Sequence, residues 1–257
     1  MSQARIEAEL AIASACQKPA EIDVIMVVHN QPELTQNAIS SLSQTTPNYH
    51  LYVYDNGSDQ ETVDVLKKAD LRGGRIVRGE RNIGFLLPNN LLAKEGKSPY
   101  IVLLNNDVYC LQGWWEPLIG CLQNYPEVGA TGYLGGYLNT QGVGTSPAWG
   151  YDVDYISGWC LALRRKDYEK FGLFDAEHLE FAYCEDADFC FRLREAGLTT
   201  YAFGLDLVWH KGHATSGNID PQLLGGPFAR NHAYIRNRWQ KYLGRSTSGL
   251  YNPLANC

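Results

Sequence analysis

Residues 100–108 read YIVLLNNDV, and no other stretch restricts the fold of this chain as tightly. Ile101, Val102, Leu103 and Leu104 are consecutive apolar β-formers that stop abruptly at Asn105, Asn106 and Asp107. An unbroken apolar run of this length suits a strand buried on both faces, as at the centre of an α/β sheet. Side chains alternate along a strand, which sets Asn105 and Asp107 on one side just beyond its carboxyl end. That edge is where open α/β sheets bind ligands. An amide and a carboxylate there, both oxygen donors, suit a ribose hydroxyl and a hard divalent cation. A polar turn closing a core strand accounts for the same residues.

The sequence upstream places that strand in context. Residues 1–20 read as a helix ending near Pro19 and packed on the outside of the domain. Residues 22–28 are the first convincing strand, closed by His29 and Asn30, and Pro32 opens a helix to about residue 43. A strand over 51–54, a tight turn over 55–59 and a helix over 61–69 follow, the last stopped by Gly73 and Gly74. A short strand at 75–78 and a helix at 89–94 lead into the YIVLL strand. Strand and helix alternate through the first 107 residues, which predicts a parallel, doubly wound sheet. Right-handed crossovers then align Asn30, Asp55, Gly79 and Asn105 along one edge.

The second half reads differently. A helix is predicted over 114–124, a strand over 128–134 and an irregular glycine-rich stretch over 135–152. One strand spans 155–164, a short helix and a turn at 171–175 follow, and a helix over 185–196 stops at Gly197. Short strands at 201–203 and 207–209 end at His210, and a basic, aromatic helix runs over 228–243. The residues from Arg245 onward read as a loose tail.

Composition removes several classes of function. A net charge of −6 disfavours a protein whose main partner is a nucleic acid backbone. No apolar run is long enough for a membrane span. The start, MSQARIEAELAIASACQK, is amphipathic rather than a signal peptide, because Glu7 and Glu9 break any apolar core. The cysteines at 16, 110, 121, 160, 184, 190 and 257 are odd in number and lack paired CxxC spacing. They read as free thiols in a reducing cytoplasm, not as a zinc site. There is no GxGxxG after the first strand and no GxxxxGK[ST], so phosphates must be neutralised another way, most simply by a metal.

Eight segments in order carry a resemblance: VIMVVHN, VYDNGSD, RNIGF, YIVLLNNDV, SGWCLALRR, FGLFD, CEDADFCFRLREAG and VWHKG. Together, from about Ile22 to His213, they resemble the inverting nucleotide-sugar glycosyltransferases of family two, most closely the rhamnosyltransferase and galactofuranosyltransferase-like branch. The resemblance implies a GT-A fold: a Rossmann-like mixed, mostly parallel sheet flanked by helices. It implies a domain over 22–244, with a nucleotide-sugar half (22–108) and an acceptor and catalytic half (109–244). Residues 1–21 are then a helical extension and 245–257 a tail.

The same resemblance distributes the chemistry. Asp55 takes the place of the carboxylate that accepts from a pyrimidine N–H, and His29, Asn82, Gly84, Asn105 and Asn106 belong to the nucleotide side. Asn105-Asn106-Asp107 stands where the family has DxD. Asp107 is thus the implied metal ligand, with His210 completing the site and His213 a close rival. The metal is Mn²⁺ or Mg²⁺, and the donor a UDP- or dTDP-sugar. Asp186 is the implied base for an acceptor hydroxyl, with Glu185 contacting the acceptor, Asp188 structural, and Gly158 and Trp159 presenting the acceptor.

Read as residues, acids at 185 and 186 are also favoured by a helix amino terminus, although three crowded carboxylates repel one another. Leu86, Leu87 and Pro88 depart from the small residues usual after the RNIGF segment. Arg230, Arg236, Arg238 and Lys241 suit a solvated basic face packed by Tyr234 and Trp239, or a contact with membrane or an anionic acceptor. The rivals to a carbohydrate-directed transferase are a non-catalytic binding relic, a nucleotidyltransferase and a transferase acting on modified DNA bases. HNQPEL lacks the glycine-rich basic loop that a nucleotidyltransferase needs.

Overall fold

A computed structural model describes residues 3–14, 21–212 and 221–245. The first half alternates as the sequence predicts: α1 (Gln3–Ser14), β1 (Ile22–Val28), α2 (Pro32–Thr45), β2 (Tyr49–Asn56), α3 (Gln60–Leu66), β3 (Ile76–Gly79), α4 (Leu86–Leu92) and β4 (Tyr100–Leu104). The second half runs β5 (Val108–Cys110), α5 (Trp115–Asn124), β6 (Val128–Gly132), β7 (Gly135–Leu138), β8 (Gly144–Ala148), β9 (Gly150–Tyr151), β10 (Tyr155–Ile156) and β11 (Cys160–Arg164). It continues with α6 (Arg165–Phe171), α7 (Glu185–Glu195), β12 (Thr199–Ala202), β13 (Val208–His210) and α8 (Pro221–Arg238), then a 3₁₀ turn at Gln240–Tyr242.

Eight strands form the main sheet in the order β3-β2-β1-β4-β11-β6-β12-β9. β3, β2, β1 and β4 are parallel to their neighbours, and β6 pairs with β12 in parallel. β11 runs antiparallel between β4 and β6, which makes the sheet mixed. This is the architecture of the GT-A fold.

The apolar run at its centre is buried on both faces. Val102 and Leu104 join one core layer with residues of α2 and α5, while Ile101 and Leu103 join the other with residues of α4 and α7. Full burial of such side chains stabilises the fold by roughly 1.5–3 kcal/mol each. α1 contributes Ile12 to the first layer. Its Glu9 is buried, bonded to Arg5 and to the Gly204 amide. Among the described residues no helix is long and apolar enough to cross a membrane. Cys110, Cys121, Cys160 and Cys190 are buried free thiols and Cys184 is partly buried; Cys16 and Cys257 lie outside the described residues.

Four expectations need correction. β2 continues through Asp55 and Asn56, because both pair in register with Arg78 and Gly79 of β3; the turn comes at Gly57 (φ 73°). A Cβ at Gly57 would lie 2.6 Å from the Arg81 Cα, so this turn needs glycine. The stretch 135–152 is not irregular: β7 pairs with β8 and with β10 in a separate three-stranded sheet, and β9 joins the main sheet. Its glycines mark close backbone packing, since a Cβ on Gly135 would fall 2.7 Å from the Tyr155 carbonyl oxygen.

Residues 155–164 are accordingly not one strand, because the chain leaves one sheet at Ile156 and enters the other at Cys160. The fourth correction is at the carboxyl end. Arg245 is anchored, bonded to Asp152 Oδ2 at 2.7 Å and to Asp154 Oδ1 at 2.7 Å. Residues 246–257 of the expected tail lie outside the described residues.

At the sheet edge opposite the strand ends, buried Asp23 of β1 meets Arg165 at 2.5 Å and accepts from the Ser98 amide and hydroxyl. Removing the guanidinium leaves a buried carboxylate without its counter-charge. Arg165→Met is expected to cost about 3–5 kcal/mol in urea unfolding, and a loss near zero would show the pair to be dispensable.

Candidate active site

A cavity of about 430 Å³ opens where β1, β2 and β4 end and β11 begins. The β4 exit and the β11 entry are locked together, the Asn105 amide donating to the Trp159 carbonyl at 2.9 Å. Leaving β4, the chain turns through Asn105, Asn106 and Asp107 and pairs at once as β5 with β13. Val108 lies opposite His210 in that ribbon, and the Lys211 amide donates to the Asp107 carbonyl. Two residues about a hundred positions apart therefore meet: Asp107 Oδ1 stands 3.1 Å from His210 Nε2.

Neither of those two buried atoms has a hydrogen-bond partner. Burial works to raise the Asp107 carboxyl, but the facing imidazole and Asn105 outweigh it and hold it below its ordinary value. Two orphaned donors, an oxygen and an imidazole nitrogen aimed at each other, form an arrangement that a shared cation would satisfy. The Trp159 ring stacks on the His210 imidazole, with centroids 4.6 Å apart and planes within 13°. Trp159, expected to present the acceptor, lines the cavity, and its ring also braces the histidine. His213 lies outside the described residues. No group of three or more His, Cys, Asp or Glu side chains converges as a metal cage among the described residues.

Of the residues expected on the nucleotide side, His29, Asn82, Gly84, Asn105 and Asn106 line the cavity. His29 is oriented by a 3.0 Å contact between its Nδ1 and the Asn56 carbonyl. Asn56, not anticipated from sequence, donates to Asn82 Oδ1 and the Gly84 carbonyl while accepting from the Ile83 amide. Asn106 turns inward to Thr35 Oγ1 at 2.9 Å. Asp55 is not brought to the cavity wall. Its buried carboxylate is held by Arg78 at 2.5 Å and accepts from the Ser58 amide, because the longer β2 pairs it directly with β3.

The opposite wall is the turn into α7. Phe181, Tyr183 and Cys184 have φ of 59°, 74° and 71°, a region that side chains rarely adopt. Gly84 fits against this turn where a Cβ would come within 2.4 Å of the Phe181 carbonyl, and the Phe85 amide donates to the same oxygen. Glu185 and Asp186 then open α7. Asp186 accepts from the Ala187 amide at 2.8 Å and, more weakly, from the Gly158 amide at 3.4 Å.

Burial raises both carboxyls above their ordinary range, and the neighbouring Asp186 charge raises Glu185 further. Glu185 Oε2 is buried without a partner, while Gly158, beside its other oxygen, leaves room that a side chain would fill. Asp188 is fully buried and structural, bonded to Arg192 and to Trp239 Nε1. The basic residues of the last helical segment are largely neutralised: Arg230 pairs with Glu180, Lys241 with Glu195, and Arg238 lies over Trp239. That arrangement fits a solvated basic face.

The family model described as glycosyl transferase family 2 matches residues 23–145. The O-antigen biosynthesis protein RfbC of Myxococcus xanthus is 26% identical over 268 aligned positions, which cover 91% of this chain and 20% of that protein. An N-acetylglucosaminyl-diphospho-decaprenol L-rhamnosyltransferase of Mycobacterium tuberculosis is 39% identical over 64 residues, 24% of this chain and 20% of the relative. The chain spans about a quarter or less of the length of the curated relatives it matches. Among solved structures, a mannosyltransferase of Pyrobaculum calidifontis in complex with GDP-Man and Mn²⁺ superposes with a TM-score of 0.59 at 13% identity. That match covers 92% of this chain and 79% of the other and shows the shared fold.

One buried side chain outside the cavity holds the left-handed turn. Asn231 of α8 donates to the carbonyls of Glu180, Ala182 and Tyr183 and accepts from the Glu180 amide, all within 3.0 Å. Nothing local in the sequence marks this asparagine, which lies in a helix that otherwise reads as basic and solvated. Asn231→Ala is expected to cost about 1–3 kcal/mol by leaving buried backbone groups unpaired. Hydrogen exchange at the amides of residues 180–184 should accelerate selectively; unchanged protection there would refute the clamp.

Proposed function

From a chain whose residues 23–145 belong to glycosyl transferase family 2, we propose an enzyme that moves a sugar from a nucleotide donor to a hydroxyl, inverting the anomeric centre. One observation carries the reading: the orphaned Asp107–His210 pair and the half-buried Asp186 carboxylate open onto the same cavity. Among its described lining residues there is no Lys or Arg. A diphosphate held there lacks a side-chain counter-charge, which supports a requirement for a cation.

Asp107 Oδ1 and His210 Nε2 would hold a divalent cation, and of the two expected the imidazole nitrogen favours Mn²⁺ over the oxygen-seeking Mg²⁺. When bound, the cation neutralises charge developing on the departing nucleoside diphosphate. His29, Asn82 and Asn105 line the side proposed for the nucleoside of a UDP- or dTDP-sugar. Asp55, held by Arg78 away from the cavity wall, is assigned no contact.

Asp186 takes the acceptor's hydroxyl proton as that oxygen attacks the anomeric carbon from the face opposite the leaving group. A bond from that oxygen to the anomeric carbon forms, the bond to phosphate breaks, and the proton rests on Asp186. A base whose pKa is raised toward working pH is better matched to that transfer. Glu185, beside it, contacts the acceptor. The similarity to an O-antigen biosynthesis protein supports a glycan or glycoconjugate acceptor, and the free buried thiols support a reducing, cytoplasmic compartment.

The test is a panel of nucleotide sugars and glycan acceptors with and without Mn²⁺. Asp186→Asn should lower turnover by about 10²–10⁴-fold while nucleotide binding persists. Undiminished turnover would reject the assigned base. Asp107→Asn should weaken Mn²⁺-dependent nucleotide binding in titration calorimetry, and unchanged binding would reject the metal assignment.

The pH dependence follows from the direction of the Asp186 shift. The base works only when deprotonated, so kcat falls as pH drops through its raised pKa. The acid limb should therefore lie clearly above the ordinary aspartate value of about 3.9. A limb at or below that value would count against Asp186.

A further inference from the structure

The turn before α7 keeps Phe181, Tyr183 and Cys184 in left-handed backbone without a glycine to ease it. Such conformations persist only where surrounding contacts over-determine them, and here the Asn231 amide does so. What the arrangement achieves is display: Phe181, Ala182 and Tyr183 all line the cavity on the side of Asp186. The Tyr183 ring meets Phe228 of α8 at 5.4 Å and 78° between planes. Phe228 does not line the cavity, so it supports the tyrosine from outside. Trp159, the aromatic expected from sequence to present the acceptor, lines the same cavity but has one ring face stacked on His210.

Charge narrows what can lie on that ring. The wall beside it carries Glu185 and Asp186, and the described lining contains no cationic side chain to offset them. The burial that raises both carboxyls disfavours any further anion on this wall, and no cationic side chain in the described lining offsets that cost. The Asp107–His210 pair, the proposed cation site, belongs to the donor's diphosphate.

We propose that Tyr183 is the stacking platform for the acceptor, and that the acceptor unit it receives is an uncharged pyranoside, not a uronate or sugar phosphate. An aromatic ring suits the apolar C–H face of a neutral sugar, and the sugar's hydroxyls remain free to reach Glu185 and Asp186, two and three residues on. The inference rests on the glycosyl-transfer reading for identifying this wall as the acceptor's.

The experiment is saturation-transfer NMR on the full chain, with methyl glucoside and methyl mannoside set against methyl glucuronide. A parallel titration of uridine diphosphate with Mn²⁺ reports on the donor site. Tyr183→Gly suits a φ of 74° without steric cost, so it removes the ring while easing the turn, with circular dichroism confirming the fold. Tyr183→Phe keeps the ring.

A neutral glycoside should bind the wild type and Tyr183→Phe, and bind Tyr183→Gly more weakly by about three- to tenfold, the range of a lost aromatic contact. The glucuronide should bind least. Equal binding by Tyr183→Gly, equal binding of the glucuronide, or no glycoside binding by the wild type would each overturn the inference. Failure of uridine diphosphate to bind beside Tyr183-dependent glycoside binding would instead count against the donor assignment and leave this subsite standing.

Discussion

The register of the two-stranded ribbon formed by β5 and β13 decides whether this chain has a site at all. With Val108 opposite His210, the imidazole faces Asp107. A slip of one residue would direct the Trp209 side chain where His210 now points, since neighbours along a strand face opposite sides. The ribbon is short, and backbone bonds at both ends hold its register: the Lys211 amide to the Asp107 carbonyl, and the Leu111 amide to the Leu207 carbonyl. The Trp159 ring then fixes the imidazole by stacking. Backbone pairing thus sets where the donors lie, and an aromatic contact sets how one of them points.

The electrostatics of the cavity follow from what its walls lack. Three carboxylates and two imidazoles line it with no described Lys or Arg. Asp107 is held low by His210 against the effect of burial, whereas Asp186 and Glu185 are raised by burial. Acidic groups in one cavity are therefore driven in opposite directions, one toward holding charge and the other toward accepting a proton. The left-handed turn at 181–184 keeps the proton-accepting wall in place, braced by Asn231 of α8 and by Trp239, just past that helix, on Asp188.

The first half of the chain is legible because local signals and global fold agree there. Unbroken apolar strands alternate with helices that have recognisable starts, such as Pro32 at the head of α2 and Asp59 capping α3. The second half misleads for a definite reason. Glycine-rich strands such as β7 carry almost no periodic signal, yet they pair because another backbone needs the space that a side chain would take. Asp55 shows a comparable limit: DNGS has turn chemistry, but parallel pairing to β3 overrides it and delivers the carboxylate to Arg78.

By itself the sequence determined the alternating α/β order, the central strand buried on both faces, and the residue types in the segments around Asp107, Asp186 and His210. Local spacing and composition carry that information, since each depends on neighbours a few positions away. Only the tertiary structure decided which of these segments meet, that Trp159 braces His210, that Asp55 is held by Arg78, and that Asn231 holds a strained turn. Those outcomes depend on contacts between residues about 20 to 100 positions apart, set by sheet order and register, and no local pattern in the chain encodes them.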